Sequence, residues 1–504
     1  MTINILRQTR FNFGRSSYET QKLLSSRANS PFYQNSLRKS KRVNSFRLLS
    51  TISNAEVPLV FVPGLKGTHL SRPLPDANTD DLDESKISVE KKRVWLTIPN
   101  LLNFPPRSSS DPYVDLSLPL TYIHDEQCTG DLVPDGVINY ILESNANNFE
   151  LNFFPFYAHA NDLLSCTGAA SNYDHKRPSS TFEYDWRLDL NTLAKQLHEY
   201  CCKTYPDKPV QLLAHSMGGL LAFYLWKKYP EKYKPGAVLV GVPFGTGVQY
   251  LQDLQLGYKT ELGTCQQFSP EALFTFGSHW SFFPSDKDFG DLIVDVTETN
   301  ETDLPEGFEF QAGKNTIGQI PPSYQPEGIK GETVNLDFYN WKEWESNQFG
   351  IFDPVCSKQL GRGKVSEYRE HLKIQLKKAV TWRSEMTEKL SEEKSTPSLT
   401  VCATNCVPTI HQILRRKNSE NPDLNQYEYD FSSGRSVPGD GRIDFDKAFP
   451  TPQNDFQYDY KFKKVSLSAS HTKQMCMEEN GGNMRQIWDL VVEQLTEYQM
   501  KSRK

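Results

Sequence analysis

The stretch LLAHSMGGL, residues 212–220, decides how the rest of the chain is interpreted. The apolar run at residues 209–213 has the composition of a buried strand, and residues 217–229 have the pattern of a helix. Ser216 therefore lies where a strand turns directly into a helix. A hydroxyl at such a turn is raised clear of the sheet, and the first N–H groups of the helix point at negative charge that develops beside it. An ordinary serine in a strand–helix loop is the alternative.

The residues around Ser216 are small enough for a nucleophile elbow, the strand–turn–helix of the α/β-hydrolases. Ala214, Gly218 and Gly219 stand where strand and helix pass close together, with Ala214 in place of the usual first glycine. A second apolar strand, residues 236–241, follows the helix, and two strands flanking one helix require a parallel sheet. The predicted fold class is therefore α/β, an α/β-hydrolase core with a mostly parallel sheet and inserted cap and lid regions.

A candidate acid and base follow Ser216 in the order that this fold uses, which is serine, then acid, then histidine. Asp440 stands in a Gly-Asp-Gly turn, and His471 follows the predicted strand at residues 463–467. His471 would take the proton of Ser216, and Asp440 would hold the imidazole and stabilise its charged form. A serine without such a base is a poor nucleophile, so the three residues are predicted to act together.

Other residues compete for the roles of acid and base. Asp444 and Asp446 are close to Asp440 in sequence, and aspartate in a Gly-Asp-Gly turn is common for turn reasons alone. His411 is an alternative base, but it precedes Asp440 and so breaks the order. We expect His215, the residue before the nucleophile, to point away across the elbow.

The loop after the first predicted strand, residues 57–62, supplies a candidate for the oxyanion hole. Its sequence is Pro-Gly-Leu-Lys-Gly, residues 63–67, and α/β-hydrolases place half of the oxyanion hole in such a loop. We predict that the backbone N–H groups of Leu65 and Met217 form the pair. Losing one such donor typically raises the barrier by ~3 kcal/mol. A plain tight turn is the alternative for this loop.

The motifs divide the chain into four predicted regions. Residues 1–55 form a targeting or disordered segment, residues 56–247 and 396–504 form the two parts of the hydrolase core, and residues 248–395 form a lid and cap insertion. A further insertion occupies about residues 70–180 within the first part of the core.

Three shorter stretches have more specific interpretations. Residues 182–187 are predicted as a core strand on which Asp185 and Arg187 form a structural ion pair. Residues 364–390 are predicted as one long helix whose charged face is solvated. The aromatic residues at 338–352 favour a small cap core over the lining of an acyl pocket.

The composition argues against several classes of protein and site. The net charge of −6 does not indicate the positively charged surface that binds nucleic acid, so no nucleic-acid partner is predicted. No apolar run approaches the ~20 residues that a membrane-spanning helix needs. The nine scattered cysteines predict mostly free thiols, and Cys402 and Cys406 are too isolated to suggest a zinc site. We predict no metal and no cofactor, and the sequence leaves the oligomeric state open.

Residues 1–55 differ in composition from the rest of the chain. They contain ten Lys and Arg residues against a single acid, Glu19, and they are rich in serine. An Arg-rich, Ser-rich and acid-poor start is typical of an organellar presequence and predicts a mitochondrial location. A disordered basic tail of a cytosolic protein is the alternative.

Several of these motifs together resemble the lecithin:cholesterol acyltransferase family, which includes lysosomal phospholipases and phospholipid:diacylglycerol acyltransferases. The matching segments, which fall within about residues 57–500, are Val-Pro-Gly at 62–64, Tyr-Asp-Trp-Arg at 184–187, Ala-His-Ser-Met-Gly-Gly at 214–219, Gly-Val-Pro-Phe-Gly at 241–245, Gly-Asp-Gly at 439–441 and Ser-His at 470–471.

The resemblance implies a lipid ester substrate and contact with a membrane or lipid surface. Ser216 would carry an acyl group from a glycerolipid, and water or an alcohol would accept it. A mobile lid would follow residues 241–245, and Leu65 and Met217 would serve as the oxyanion donors. The alternatives are a soluble carboxylesterase or lipase and a catalytically silent lipid-binding protein of the same fold.

Two features depart from the family pattern. Residues 57–127 contain no cysteine for the family's small disulfide loop, and Arg442 replaces the threonine that usually follows Gly-Asp-Gly.

Most relatives enter the secretory pathway, so a secretory or lysosomal location is an alternative to the mitochondrial one.

Overall fold

The computed structural model describes most of the chain between Val57 and Ser502. The described residues are 57–73, 91–95, 116–120, 132–145, 150–165, 177–245, 247, 249–259, 266–283, 293–299, 329–334, 336–388, 397–417, 427–432, 434–457, 460–477 and 482–502. The predicted targeting segment, residues 1–55, lies outside them.

Strands and helices alternate through the parts of the chain predicted as core. The strands are β1 (Leu59–Val62), β2 (Thr68–Pro73), β3 (Lys91–Trp95), β4 (Val133–Val137), β5 (Tyr140–Asn145), β6 (Glu150–Pro155), β7 (Ser179–Thr181), β8 (Gln211–His215), β9 (Ala237–Val240), β10 (Tyr258–Lys259), β11 (Gln266–Phe268), β12 (Ile293–Thr299), β13 (Ile329–Thr333), β14 (Leu399–Thr404), β15 (Val407–Ile410), β16 (Ile413–Lys417), β17 (Tyr427–Asp430), β18 (Ser436–Gly439) and β19 (Lys463–Leu467). The α-helices are α1 (Ala158–Ser165), α2 (Leu190–Thr204), α3 (Met217–Lys228), α4 (Gln249–Leu256), α5 (Pro270–Phe274), α6 (Trp341–Ser346), α7 (Pro354–Leu360), α8 (Arg362–Thr387) and α9 (Met484–Ser502). Short 3-10 helices are Gly277–Phe282, Gly350–Phe352, Phe445–Ala448 and Pro452–Asn454.

Six strands form a central sheet in the order β19-β14-β9-β8-β1-β7, and every neighbouring pair is parallel. Strand β8, helix α3 and strand β9 form the predicted βαβ unit. Strands β1, β8, β9 and β14 are buried along their whole length, as expected for a parallel sheet covered on both faces. The predicted α/β-hydrolase core with a mostly parallel sheet is confirmed.

Alternate side chains of β1 pack on opposite faces of this sheet, as the pleat of a strand requires. Val60 and Val62 belong to a large apolar cluster that includes helices α2 and α3, whereas Leu59 and Phe61 belong to a second cluster that includes Trp488 of helix α9. The C-terminal helix therefore covers one face of the sheet, and the elbow helix covers the other.

The remaining strands form small sheets outside the central one. Strands β3-β2-β4 and β5-β6 lie in the insertion predicted at about residues 70–180, and β13-β12-β16-β17 form a separate four-stranded sheet. Strands β15 and β18 are antiparallel, and β18 ends at Gly439, directly before Asp440. The predicted long helix is confirmed as α8, although one of its faces is buried.

The strand predicted at residues 182–187 is wrong. Strand β7 ends at Thr181, and the chain then leaves the sheet. The Tyr184 hydroxyl donates to the Pro63 carbonyl at 2.6 Å, and Trp186 Nε1 donates to the Thr68 carbonyl at 3.0 Å. The polar ends of these buried aromatic side chains thus bond backbone carbonyls in the loop after β1 and at the first residue of β2, so their burial does not indicate a strand.

The ion pair predicted in this stretch is present. Arg187 Nε and Nη2 donate to the two carboxylate oxygens of Asp185 at 2.9 and 2.7 Å, and both side chains are buried. Arg187 Nη1 also donates to the Leu116 carbonyl at 2.8 Å. The pair therefore fastens the insertion to the core.

Three features of composition can be checked within the described ranges. The six cysteines there are free thiols, while Cys128, Cys166 and Cys265 lie outside them. No group of three or more potential metal ligands occurs among the described residues. Of the helices described, none combines the length and the apolar composition needed to cross a membrane.

Candidate active site

Ser216 sits on a strained turn between β8 and α3. Its backbone has φ 53° and ψ −128°, a combination that is rare for residues other than glycine. Its N–H donates to the Val240 carbonyl at 2.9 Å, and its carbonyl accepts the N–H of Gly219 at 2.8 Å. Such strain costs about 1–3 kcal/mol and persists only where surrounding structure imposes it. The geometry is that of the predicted elbow.

Close packing around the elbow explains its small residues. A Cβ on Gly218 would lie 2.4 Å from the Pro63 carbonyl oxygen, and one on Gly219 would lie 2.1 Å from Cγ2 of Val242. A Cβ on Gly64 would lie 2.8 Å from Cβ of Ser216. Glycine at these positions therefore lets the loops after β1 and β9 approach the elbow.

The structure brings the three predicted residues together although 255 positions separate the serine from the histidine. His471 Nε2 lies 2.9 Å from Ser216 Oγ, and His471 Nδ1 lies 2.8 Å from Asp440 Oδ2. Asp440 and Ser216 are buried, and the His471 side chain is 14% exposed. With its proton on Nδ1, the imidazole can accept the serine proton at Nε2, which is the geometry of a general base.

The Asp440 carboxylate is held by four hydrogen bonds. Oδ1 accepts the N–H groups of Arg442 and Ile443 at 2.9 and 2.7 Å. Oδ2 accepts Gln474 Nε2 at 3.1 Å in addition to His471 Nδ1. The turn bonds considered as an alternative explanation for this aspartate are thus present, and they orient the same carboxylate toward the histidine.

Asp440 carries its negative charge despite deep burial. Burial alone would raise the pKa of Asp440, but the charge of His471, its hydrogen bond and the N–H donors of Arg442 and Ile443 outweigh this effect and lower the pKa. The carboxylate is therefore available to stabilise an imidazolium.

A buried chain of hydrogen bonds through Tyr157 and His215 supports the site, and no sequence motif pointed to Tyr157. His215 Nε2 lies 3.1 Å from the His471 carbonyl, which can only accept, so this nitrogen carries the proton. His215 Nδ1 then accepts the Tyr157 hydroxyl at 2.7 Å, and the Tyr157 oxygen accepts the Gly64 N–H at 2.9 Å. The predicted oxyanion loop is thereby connected to the backbone of the base.

His215 is neutral and points away from Ser216, as expected from its place across the elbow. Burial, with the charge of His471 as a second cause, lowers the pKa of His215 to about 3. Burial likewise raises the pKa of Tyr157, so its hydroxyl keeps its proton. Neither group changes charge near neutral pH, and the hydrogen-bond chain keeps one arrangement.

The two predicted oxyanion donors lie at the elbow. Met217 is the first residue of α3, and Leu65 directly follows Gly64, the residue packed against Ser216. Within the described residues, the N–H groups of Leu65 and Met217 donate no hydrogen bond. Both are available for a substrate oxygen.

The alternative residues form a separate pair. His411 Nδ1 lies 2.6 Å from Asp444 Oδ2, so these two residues bond each other. The histidine that is bonded to Ser216 is therefore His471 and not His411.

Helix α4 contacts both loops of the site from the region predicted as lid. Gln249 Nε2 donates to the Gly441 carbonyl at 2.9 Å, beside Asp440. Asp253 of the same helix forms an ion pair with Lys66, the residue after Leu65. The first turns of the predicted lid are therefore fastened over the site.

The comparison with known protein families agrees with this geometry at the level of the fold. A family model described as "Serine aminopeptidase, S33" matches residues 185–294, which include the elbow, α3, β9 and α4. The fold and the geometry of the three residues are those of a serine hydrolase of the α/β-hydrolase type. A solved structure titled "The crystal structure of Tle4-Tli4 complex" is similar to it, with 11% identity, a TM-score of 0.48, and coverage of 88% of this chain and 98% of that one. No curated protein sequence matches the chain.

Proposed function

We propose that the chain is a serine-dependent lipid ester hydrolase or O-acyltransferase, with Ser216 as nucleophile, His471 as general base and Asp440 as its partner. The observation that carries the proposal is the unbroken contact from Ser216 Oγ to His471 Nε2 and from His471 Nδ1 to Asp440. A histidine within hydrogen-bond reach turns an ordinary hydroxyl into a nucleophile at neutral pH.

The first half-reaction forms an acyl-enzyme. Ser216 Oγ attacks the ester carbonyl carbon while His471 Nε2 takes the hydroxyl proton. The carbonyl oxygen becomes an oxyanion that accepts hydrogen bonds from the N–H groups of Leu65 and Met217. The intermediate then collapses, the bond to the alcohol oxygen breaks, and His471 gives its proton to that oxygen. An alcohol leaves, and the acyl group stays on Ser216.

The second half-reaction frees the serine. Water or an acceptor alcohol gives a proton to His471 while its oxygen attacks the acyl carbon. The bond to Ser216 Oγ breaks, and His471 returns the proton to Oγ. Water yields a carboxylic acid, and an alcohol yields a new ester.

Two kinds of observation support a lipid as the substrate and a lipid surface as the partner. The chain carries the motifs that resemble the lecithin:cholesterol acyltransferase family. Helix α4 lies at the position of the lid that this resemblance implies, and Leu256 at its end is 51% exposed.

A fluorophosphonate probe tests whether the chain is a serine enzyme. We expect covalent labelling of the wild-type protein and none of Ser216→Ala. Absence of labelling in the folded wild type would favour the catalytically silent alternative.

The dependence of the rate on ester concentration tests whether the chain acts at a lipid surface. With a short-chain ester, we expect the rate to rise steeply when the substrate passes from monomer to micelle. A rate that only saturates below the micelle concentration would favour the soluble carboxylesterase. Turnover of an aryl amide in preference to the matching ester would favour a peptidase, the activity that the name of the matching family model describes.

The acceptor can be identified with the same substrate. Adding a long-chain alcohol diverts the acyl group to a new ester if the chain is an acyltransferase, and leaves fatty acid as the product if it is a hydrolase.

The composition of residues 1–55 supports a mitochondrial location, which we propose as the site of action. A fluorescent reporter fused to these residues should enter mitochondria. A reporter that stays cytosolic or enters the secretory pathway would contradict this location.

A further inference from the structure

The side chain of Gln474 contacts the acid of the site from the loop that carries His471. It is fully buried, and its backbone N–H donates to the Ser470 carbonyl at 3.1 Å. The side-chain nitrogen Nε2 lies 3.1 Å from Asp440 Oδ2 and 3.1 Å from Oγ1 of Thr404, the last residue of β14. The amide therefore joins the end of this strand to the acid.

The partners of the Gln474 amide decide which of its atoms faces Asp440. The Thr404 hydroxyl donates its single proton to the Ala469 carbonyl at 2.7 Å, so its oxygen can only accept from Gln474. An ionised carboxylate also only accepts. Both neighbours of Nε2 are therefore acceptors, and the two protons of the NH2 group go one to each. In the opposite orientation, the amide oxygen would face two acceptors.

Gly241 leaves the space that the Gln474 amide occupies. It follows the end of β9 with φ 56°, and a Cβ at this position would clash with Oε1 of Gln474. A larger residue would push the amide away from Asp440. The first glycine of the Gly-Val-Pro-Phe-Gly segment is thus explained by the same contact.

The two oxygens of Asp440 have different surroundings. Oδ1 accepts two backbone N–H groups, which hold one end of the carboxylate. Oδ2 accepts both the Gln474 amide and His471 Nδ1, so the amide holds the end that meets the imidazole. A donor to a carboxylate also favours its charged form, which makes the carboxylate less basic.

We propose that Gln474 is a positioning residue of the triad, which holds Asp440 Oδ2 against His471 and limits how strongly the carboxylate stabilises the protonated imidazole. This inference rests on the proposed function, because it deepens the roles of acid and base at the same site. The imidazole must take a proton from Ser216 and then release it to the leaving alcohol. A carboxylate that binds the imidazolium too strongly slows this release, and one that can turn loses the alignment.

The other titratable groups that interact with Asp440 or His471 keep one charge state in mildly acidic solution. Burial, and secondarily the charge of His471, lowers the pKa of His215 to about 3. Burial raises the pKa of Tyr250 and of Cys406, both of which interact with the charge of Asp440. The loss of turnover between about pH 7 and about pH 5 therefore reports protonation of His471.

Kinetics with monomeric p-nitrophenyl butyrate test the proposal in two variants and a control. Gln474→Met keeps the length of the side chain but donates no hydrogen bond, and Thr404→Val removes the oxygen that orients the amide. The control is Gln494→Met, which changes another buried glutamine. The Nε2 of Gln494 donates to the carbonyls of Ala237 and Ser398, at the opposite ends of β9 and β14.

Four quantities are measured, which are kcat, KM, the melting temperature and the pH at which half of kcat/KM is lost on the acidic side. Gln474→Met should lower kcat about tenfold or more with little change in KM. The acidic half-point should rise by about 0.5 pH units or more, because without the donor Asp440 holds the imidazolium more strongly. Thr404→Val should shift it in the same direction by less. Gln494→Met should lower only the melting temperature.

The outcomes separate this proposal from the proposed function. If the wild type does not turn over the ester, the proposed function fails and this inference falls with it. If the wild type is active but Gln474→Met keeps the wild-type half-point, even with a lower melting temperature, Gln474 is purely structural and the present proposal alone is overturned. If Gln474→Met does not fold, Thr404→Val decides, since an unchanged or lowered half-point in that variant would also overturn the proposal.

Discussion

At the scale of single residues, the site combines a strained nucleophile with a base that is fixed from two sides. Ser216 holds a positive φ that only its neighbours can impose. His471 Nδ1 is bonded to the Asp440 carboxylate, and the backbone N–H of His471 donates to the backbone carbonyl of Asp440 at 2.8 Å. The imidazole is therefore oriented before substrate arrives, which is the condition for efficient proton transfer.

The partners of His471 and His411 predict which of the two histidines is required for turnover. We expect His471→Ala to lower kcat about 10³-fold or more, because removing the base of such a triad removes most of its catalysis. His411 is paired with Asp444 and not with Ser216, so His411→Ala should keep most of the activity. Steady-state kinetics on a soluble ester measure both. The reverse order of losses would assign the base to His411.

The buried position of Lys66 predicts a pH dependence for the choice between charged and neutral esters. Burial lowers the pKa of Lys66 to about 8; the charge of Arg442 acts in the same direction, and Asp253 opposes it. Burial, and secondarily the charge of Lys66, lowers the pKa of His279 well below its usual value, so His279 stays uncharged there. The ammonium is protonated below the pKa of Lys66 and neutral above it. The ratio of kcat/KM for mono-p-nitrophenyl glutarate, a charged ester, to kcat/KM for its neutral methyl ester should therefore fall between about pH 7 and about pH 9.

Taking a ratio cancels the titration of the triad, which both esters share. In Lys66→Met the ratio should stay level over the same range. A wild-type ratio that is equally level would contradict a role for the Lys66 charge.

At the scale of elements, Tyr157 joins the loop after β1 to the loop after β19. Its hydroxyl accepts from Gly64 and donates to His215, which in turn supports the His471 backbone. Tyr157→Phe leaves the Gly64 N–H and His215 Nδ1 unpaired in a buried place. Each unpaired group costs about 1–3 kcal/mol.

We expect Tyr157→Phe to lower both the melting temperature and kcat, with little change in KM, because positioning in the transition state is lost while the substrate pocket keeps its shape. Tyr140→Phe is the matched control, since Tyr140 is 56% exposed. A Tyr157→Phe enzyme with wild-type kcat would show that the hydrogen-bond chain has no part in catalysis.

The contact between α3 and the end of β1 predicts a strong effect of a single methyl group. Gly218→Ala would press a Cβ against the Pro63 carbonyl oxygen, and backbone atoms cannot move aside cheaply. We expect a loss of about 1–3 kcal/mol in the free energy of unfolding.

Gly363→Ala is the matched control, because this glycine lies in α8 with open space around it. Alanine is a better helix former than glycine, so the Gly363→Ala variant should be as stable as the wild type or more stable. Chemical denaturation of the two variants measures the difference. Equal stabilities would contradict the close approach at Gly218.

Local pattern predicted the elements that carry Ser216 and His471, but not the path between β7 and α2. The run from Phe182 to Arg187 is aromatic and buried, which a strand would also be. Only the backbone carbonyls of Pro63 and Thr68, which accept the side-chain donors of Tyr184 and Trp186, decide against the strand. Partners of this kind come from distant sequence, so the pattern of the segment itself could not reveal them.

At the scale of the whole molecule, the parallel sheet explains why a site so spread in sequence could be predicted. Parallel strands end at one edge, so residues that follow β8 and β19 meet there however long the connection between them. Chain order then pointed to Asp440 and His471. The contacts of Asp253 with Lys66 and Arg442 could not be predicted in this way, because these residues follow no motif and meet only when α4 lies across both loops.

The central claim is that Ser216 becomes acylated during turnover, and trapping that intermediate tests it most directly. Wild-type protein would be mixed with p-nitrophenyl butyrate, quenched in acid during turnover and digested for mass spectrometry. The account predicts a butyryl group on the peptide that contains Ser216, and no such adduct in Ser216→Ala. Continued turnover with the acyl group on another residue, or with Ser216→Ala as active as the wild type, would contradict it.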